Sequence, residues 1–85
     1  MEMCLNPQEA VVGGVYRHFT GSSYEVLMVG RSAENGQKMV VYKALEGEAA
    51  DPQVWCLYES LFLAEVTESN GTIVPRFRYL RRRSY

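Results

Sequence analysis

The residues best suited to chemistry lie in two short stretches, one from Gly14 to Gly21 and one from Val74 to Phe77. The first contains His18, the only histidine of the chain, beside Arg17. A histidine can transfer protons near neutral pH, but catalysis also needs a nucleophile or a carboxylate partner at a suitable position. The sequence shows no Ser-His-Asp or Cys-His arrangement that would supply one. It therefore assigns no catalytic residue, and an enzyme with a site built on His18 is the least favoured hypothesis.

A binding module is the first function hypothesis. Aromatic side chains of a small barrel mostly lie in the core, and the alternative is an aromatic-lined groove like those that hold peptides or single strands. A structural hydrogen bond is the more usual role for a strand histidine such as His18, and a salt bridge is the more usual role for Arg76, whose guanidinium could otherwise offer a planar fork of donors to a ligand. Alternation along the first strand places Tyr16 and His18 on one face and Arg17 on the other. The predicted site for a protein segment or small ligand comprises Tyr16, His18, Tyr42, Trp55 and Arg76.

Charge is distributed unevenly along the chain, which has a net charge of −1. Residues 1–70 contain all ten acidic residues and four of the nine Lys and Arg residues, whereas residues 71–85 contain five arginines and no acid. Such an end is typical of a solvated terminus, but it also suits contact with phosphates. Because the rest of the chain is acidic, nucleic-acid binding is the second hypothesis. Its predicted residues are Arg76, Arg78, Arg81, Arg82 and Arg83.

Neither metal nor cofactor is expected. Cys4 and Cys56 are too few and too far apart for a zinc site, a disulfide between them is not indicated, and Cys56 is expected to fill core or interface volume. Gly13-Gly14 lacks the lysine and hydroxyl residue that follow a phosphate-binding loop. No apolar run approaches the length that spans a bilayer, and the first residues do not resemble a secretory signal. We therefore expect a cytoplasmic protein that does not contact membranes.

The pattern of apolar residues predicts strands joined by tight turns. Asn6-Pro7 is typical of a helix start, so a short N-terminal helix is expected to end at Gly13. Asn35-Gly36 predicts a two-residue hairpin turn with positive φ at both positions, and Asn70-Gly71 predicts the last turn. The predicted strands are Val15 to Phe19, Tyr24 to Arg31, Met39 to Leu45, Val54 to Leu57 and Ile73 to Leu80, with a polar loop at 46–53 and a helical turn at Glu59 to Phe62.

These elements predict an all-β fold, namely a small SH3-like, partly open barrel of about five strands with the short N-terminal helix and one helical turn. The strand from Tyr24 is apolar on both faces and is expected to be central, whereas Pro75 indicates an edge strand or a strand start. Trp55 is expected to be a buried core anchor. The chain is interpreted as a single domain over residues 1–85, with the barrel at 13–80 and a basic tail at 81–85.

The chain resembles a family of small bacterial domains of unknown function. Its pattern runs G-x-Y-R-H-x-x-G, Y-x-V, V-V-Y-x-x-L, a tryptophan, a phenylalanine after a short helix, and V-P-R-F. The resemblance spans about Gly13 to Tyr79 and implies a fold and a bacterial, cytoplasmic origin, but no activity. The chain departs from the pattern after Trp55, where Cys56-Leu57-Tyr58 replaces V-R-P, and at Glu46, where the family prefers an aromatic residue. The matching residues are Gly14, Tyr16, Arg17, His18, Gly21, Tyr24, Val26, Val40, Val41, Tyr42, Leu45, Val54, Trp55, Phe62, Val74, Pro75, Arg76 and Phe77.

Overall fold

The computed structural model describes residues 6–45 and 53–83, which form seven β-strands and one short helix. Six of these strands and the helix correspond to predicted elements, because the predicted final strand is divided into two at Arg76. The strand at 65–67 was not predicted. In chain order the elements are β1 (Gly14–His18), β2 (Ser23–Arg31), β3 (Lys38–Ala44), β4 (Val54–Tyr58), α1 (Glu59–Phe62), β5 (Glu65–Thr67), β6 (Ile73–Pro75) and β7 (Phe77–Arg82).

The strands form a five-stranded antiparallel sheet and a separate two-stranded hairpin. The order of the large sheet is β4-β3-β2-β1-β7, so β2 is central as predicted. β5 pairs only with β6, which makes the strand that contains Pro75 an edge strand. Since β4 and β7 lie at opposite edges of the large sheet, the sheet does not close. The predicted all-β, partly open barrel is confirmed.

Two bulges bend the large sheet. Leu27 is an extra residue in β2 opposite β3, and Leu80 is an extra residue in β7 opposite β1. An extra residue kinks its strand and increases the local twist, which rolls the sheet around its contents. The rolled sheet covers α1, whose Phe62 is fully buried. Leu61 of the same helical turn is exposed.

The core is aromatic and lies on the face of the sheet that packs against α1, which we call the inner face. The Phe62 and Phe77 rings stack with their centroids 4.1 Å apart and an angle of 10° between their planes. Tyr16 meets Phe62 edge-on at 5.0 Å. Val26 and Val40 complete the buried cluster. Ring pairs at such spacings add about 0.5–1.5 kcal/mol each beyond simple area burial, so aromatic contacts stabilise this small core.

The predicted N-terminal helix is wrong for the residues that the structure describes, because residues 6–13 form turns and bends instead. The Asn6 side chain donates to the Phe77 carbonyl oxygen at 2.6 Å and accepts from the Tyr79 N–H at 3.1 Å. It therefore pairs with the edge of β7 rather than capping a helix. The Ala10 N–H likewise donates to the Glu59 carboxylate at 3.0 Å. The Asn6 side chain and the Ala10 N–H are thus hydrogen-bonded to distant parts of the chain rather than within a helix.

The turn at Asn35-Gly36 is in the predicted place, but its predicted geometry is wrong. β2 and β3 are joined by residues 32–37, and only Gly36 has positive φ, at 75°. The Gly36 N–H donates to the Ser32 carbonyl oxygen at 2.8 Å, and the Asn35 side chain accepts from the Gln37 N–H at 3.0 Å. The asparagine thus stabilises a wider loop through its side chain. The Asn70-Gly71 turn is confirmed, with Gly71 at φ 89°.

The basic end is fixed to the sheet as far as the structure describes it. β7 continues through Arg82, so the first two residues of the predicted tail belong to a strand. The Arg83 N–H donates to the Gly13 carbonyl oxygen at 2.7 Å, and its guanidinium pairs with Glu25 at 3.1 Å. Glu25 is only 3% exposed. Pairing a buried carboxylate avoids a desolvation cost of several kcal/mol, which makes this contact an anchor for the end of β7.

Some expectations concern residues 1–5, 46–52 and 84–85, which lie outside the described part of the chain. These are the Cys4 thiol, most of the polar loop predicted at 46–53, and the last two residues of the predicted tail. Cys56 is a free and exposed thiol on β4, so it does not fill core volume, and a place in an interface stays a prediction. The described helix is too short to cross a membrane.

Candidate functional site

Four of the five residues predicted to bind a ligand lie near one another at the inner face of the sheet. His18, Tyr42 and Arg76 are partly buried and Trp55 is exposed. Tyr24, which was not among the predicted site residues, lies between them. We call the group His18, Tyr24, Tyr42, Trp55 and Arg76 the aromatic mouth.

Tyr16, the fifth predicted residue, lies below the aromatic mouth and not in it. Its side chain has no exposed surface, and its hydroxyl accepts a hydrogen bond from the Val11 N–H at 3.1 Å. Burial raises the pKa of Tyr16, opposed by that hydrogen bond. Tyr16 therefore acts as a core residue that supports the site, and a ligand cannot touch it.

Edge-to-face ring contacts hold the aromatic residues of the mouth in place. The Tyr24 and Tyr42 centroids are 5.3 Å apart, and Tyr42 lies 5.3 Å from Phe77. The His18 ring contacts Phe77 at 4.8 Å and Tyr24 at 6.2 Å. Sequence reasoning did not include Tyr24 in the site, although it pairs directly with Tyr16 and therefore shares its face. The strand register needed for that inference was not visible in the sequence.

Trp55 provides the exposed aromatic surface of the mouth. It is 48% exposed, so the expectation that it is a buried core anchor is wrong. The reason is its position in β4, an edge strand, whereas the aromatic core is centred on β1, β7 and α1. Trp55 is the cross-strand partner of Tyr42, and direct partners project from the same face of a sheet. The indole therefore extends the inner face toward solvent.

Arg76 occupies the junction between β6 and β7. Its N–H donates to the Ala64 carbonyl oxygen at 2.9 Å, and its own carbonyl oxygen accepts from the Phe19 N–H at 3.0 Å. The guanidinium Nε donates to the Leu61 carbonyl oxygen at 3.0 Å. One edge of the guanidinium is thus fixed to the end of α1, and the terminal nitrogens remain as donors for a ligand.

The ionisation of His18 and Tyr42 depends on their burial in the mouth. Burial lowers the pKa of His18, and the positive charge of Arg76 lowers it further, which favours the neutral imidazole. Burial also raises the pKa of Tyr42. The His18 Nδ1 is hydrogen-bonded to Thr20 Oγ1 at 2.7 Å rather than to a carboxylate. Within residues 6–45 and 53–83, no three His, Cys, Asp or Glu residues are arranged to hold a metal ion.

The five arginines predicted to bind nucleic acid do not form one surface. Arg76 belongs to the mouth, whereas the Arg78 and Arg81 positions lie on the opposite, outer face of the sheet, in register with Arg17 and Val15. The Arg82 guanidinium donates to the Val12 carbonyl oxygen at 3.1 Å, and Arg83 is paired with Glu25.

Arg17 joins the outer-face arginines, and sequence reasoning missed it. It is the direct partner of Arg78 in the pairing of β1 with β7. Its alternation with His18 had already placed it on the opposite face, but only the pairing shows that a second arginine stands beside it. Both line a cleft of about 160 Å³ where the β5–β6 hairpin approaches β1 and β7.

Comparison with known proteins identifies the family. The family model described as "Protein of unknown function (DUF1653)" matches residues 14–79. A crystal structure of a DUF1653 protein from Bordetella bronchiseptica is 30% identical and superposes with a TM-score of 0.70, covering 86% of this chain and 91% of that chain. No curated protein matches. The matched region contains the whole aromatic mouth, and the chain belongs to the DUF1653 family.

Proposed function

We propose that this protein is a non-catalytic binding module that holds a protein segment or a small ligand in the aromatic mouth, in the cytoplasm of a bacterium. One observation carries the proposal, namely the half-exposed indole of Trp55 beside Tyr42 on the inner face. Exposed tryptophans that adjoin other aromatic side chains and an arginine are typical of binding hot spots. A residue that served only the core would be covered.

The chemistry of the mouth favours an extended ligand with an acceptor group. Tyr24, Tyr42 and Trp55 offer ring surfaces at low conformational-entropy cost, because few side-chain torsions must be ordered on binding. Arg76 is the only charged residue of the mouth, and it offers donors to a carbonyl or carboxylate oxygen. Aromatic grooves of this kind bind proline-rich segments in small barrels. We therefore expect short segments that combine proline or aromatic residues with an acceptor near Arg76.

Trp55 makes the proposal directly testable, since it is the only tryptophan of the chain. Peptides selected by phage display on the whole protein should change its fluorescence on titration, and their affinities should be confirmed by calorimetry. Arg76→Gln should weaken binding about tenfold or more, and Trp55→Ala should abolish calorimetric binding. Ile73→Ala, which removes an exposed apolar side chain on β6 outside the mouth, serves as the control and should bind normally. Peptide affinities that survive both mouth substitutions would refute the proposal.

Binding of single-stranded nucleic acid is the second candidate function. It is supported by the outer face, where Arg17, Arg78 and Arg81 are exposed and have no side-chain hydrogen bond or ion pair within the described part of the chain. Phosphate contacts of this kind bind without sequence preference. The net charge of −1 opposes the approach of a polyanion. For this reason we rank nucleic-acid binding below ligand binding in the aromatic mouth.

A further inference from the structure

Arg17 and Arg78 face each other across β1 and β7 without a compensating carboxylate bonded to either. Like charges directly opposite each other destabilise a sheet. In the part of the chain that the structure describes, the one salt bridge is between Arg83 and Glu25, and neither Arg17 nor Arg78 has a side-chain hydrogen bond. Placing two such cations side by side is unfavourable for folding alone and becomes favourable when an anion binds between them.

The surroundings of the pair form a cleft rather than a flat patch. Phe19, Val74 and Pro75 provide apolar wall, and Glu68 contributes a carboxylate. We call this site the arginine cleft, and His18 and Gly21 complete its lining. Its volume of about 160 Å³ is close to that of a cavity known to accept benzene, about 150 Å³. The cleft can therefore accept one ring or one apolar side chain, and the rest of a longer ligand would stay outside it.

We propose that the arginine cleft binds a carboxylate attached to a single apolar group, either in a small organic acid or in the C-terminal residue of a protein chain. Two guanidinium forks match the oxygens of a carboxylate, and the adjoining apolar wall accepts the group that carries it. Two arginines with Glu68 leave one net positive charge. That charge balances a carboxylate and leaves a phosphate dianion uncompensated, so the carboxylate is favoured.

The proposal is tested with benzoate as the probe and the intact protein as the target, using ¹H–¹⁵N NMR at low ionic strength. Benzoate should shift the amides of β1, β7 and the β5–β6 hairpin with a dissociation constant of about 1 mM or below. Benzyl alcohol, which has nearly the same shape without the charge, should bind much more weakly. Phenyl phosphate at pH 7.5, where it is a dianion, should also bind more weakly than benzoate.

Matched substitutions show whether benzoate binds in the arginine cleft or is attracted only by the positive charge of this face. Arg17→Gln and Arg78→Gln should each weaken benzoate binding about tenfold or more. Arg81→Gln removes the same charge from the same face outside the cleft, and it should leave the affinity unchanged. Glu68→Gln should strengthen binding, because it removes the negative charge of the cleft wall. Trp55→Ala should have no effect, which keeps this result separate from that of the aromatic mouth.

Two results would overturn the proposal. Equal losses for Arg81→Gln and Arg78→Gln would mean that benzoate responds only to diffuse charge, and tighter binding of phenyl phosphate would replace the carboxylate with a phosphate. The two sources of the carboxylate are distinguished with a pentapeptide that ends in leucine and its C-terminal amide. Tighter binding of the free acid peptide than of benzoate indicates a chain end, and weaker binding indicates a small acid.

Discussion

The pKa of His18, the single histidine, depends on the residues that surround it. His18 contacts Phe77 and Tyr24 on one side, and Arg76 lies close enough to act on its charge. The pKa of His18 falls mainly because burial disfavours the charged imidazole, with a further contribution from repulsion by Arg76. The two residues are more than fifty positions apart in the chain, so their proximity could not be read from the sequence.

We expect His18 to titrate below the ordinary histidine pKa of about 6.5. Because the unfolded chain then binds its proton more readily than the folded one, stability should fall as pH decreases from about 6.5 toward the folded-state pKa. NMR of the imidazole Cε1–H gives the midpoint, and Arg76→Gln should move it upward. His18→Gln should remove this part of the pH dependence of stability. A midpoint at or above 6.5 in the unmodified protein would contradict the placement of His18 beside Arg76.

Trp55 illustrates the limit of reading burial from residue type. Large aromatic residues dominate the cores of small domains, and the sequence around Trp55 gives no sign of an edge position. An edge strand has a neighbouring strand on one side only, whereas a central strand has one on each side. Which of the two a strand becomes depends on residues far away in the chain. The strand register places Trp55 on the inner face with Tyr42, whereas the expected burial of Trp55 is wrong.

Trp55→Ala should therefore change the free energy of unfolding by only about 1 kcal/mol, since half of the side chain already contacts water. Phe62→Ala removes a fully buried ring that stacks on Phe77, and it should cost about 3–5 kcal/mol. Urea denaturation followed by circular dichroism compares the two variants. A loss for Trp55→Ala as large as that for Phe62→Ala would mean that the indole is part of the core.

At the scale of elements, local patterns predicted the strands better than the connections. Runs of apolar residues predicted the ends of β2 and β3 to within about one residue. Such runs are typical of strands whose side chains are buried. The Asn6 helix failed because the partner of that side chain is Phe77, 71 positions away. β5 was missed because three residues with one half-buried side chain carry almost no pattern.

The loop between β2 and β3 gives a prediction with an internal control. Gly36 has φ of 75°, which β-branched residues tolerate poorly, whereas Gly30 in β2 has ordinary φ and open space around it. Gly36→Val should destabilise the protein by about 1 kcal/mol or more, and Gly30→Val should be neutral or stabilising. Melting temperatures measured by circular dichroism compare the two. Equal melting temperatures of the two variants would contradict the positive φ of Gly36.

At the scale of the whole molecule, the rolled sheet separates two kinds of chemistry. The inner face ends in the aromatic mouth, and the outer face carries the arginine cleft. This division follows from the alternation of Arg17 and His18 along β1 and from the junction at Arg76, which turns the chain from the hairpin into β7. The alternation was predictable from sequence. The bulges at Leu27 and Leu80, which bend the sheet, leave no local signal and were not.

The positions of the arginines determine how many phosphates of a nucleic acid the protein can contact. Arg82 and Arg83 bond to the protein and Arg76 belongs to the aromatic mouth, which leaves Arg17, Arg78 and Arg81 on the outer face to contact phosphates. Three phosphates neutralised on a single strand give a log–log salt slope of about −2, where five would give about −3.5. This surface is small and the net charge of the chain is −1, so we expect weak binding of oligo(dT) that disappears near physiological salt.

Fluorescence anisotropy of labelled oligo(dT) at several salt concentrations measures both the slope and the affinity. Arg81→Gln should make the slope shallower by about 0.7, because it removes one phosphate contact. The same substitution leaves the arginine cleft intact, so benzoate affinity provides the control that the variant is folded. Micromolar binding at physiological salt with a slope near −3.5 would require that the arginines now bonded to the protein release their partners. That result would place nucleic-acid binding ahead of the aromatic mouth as the function of this domain.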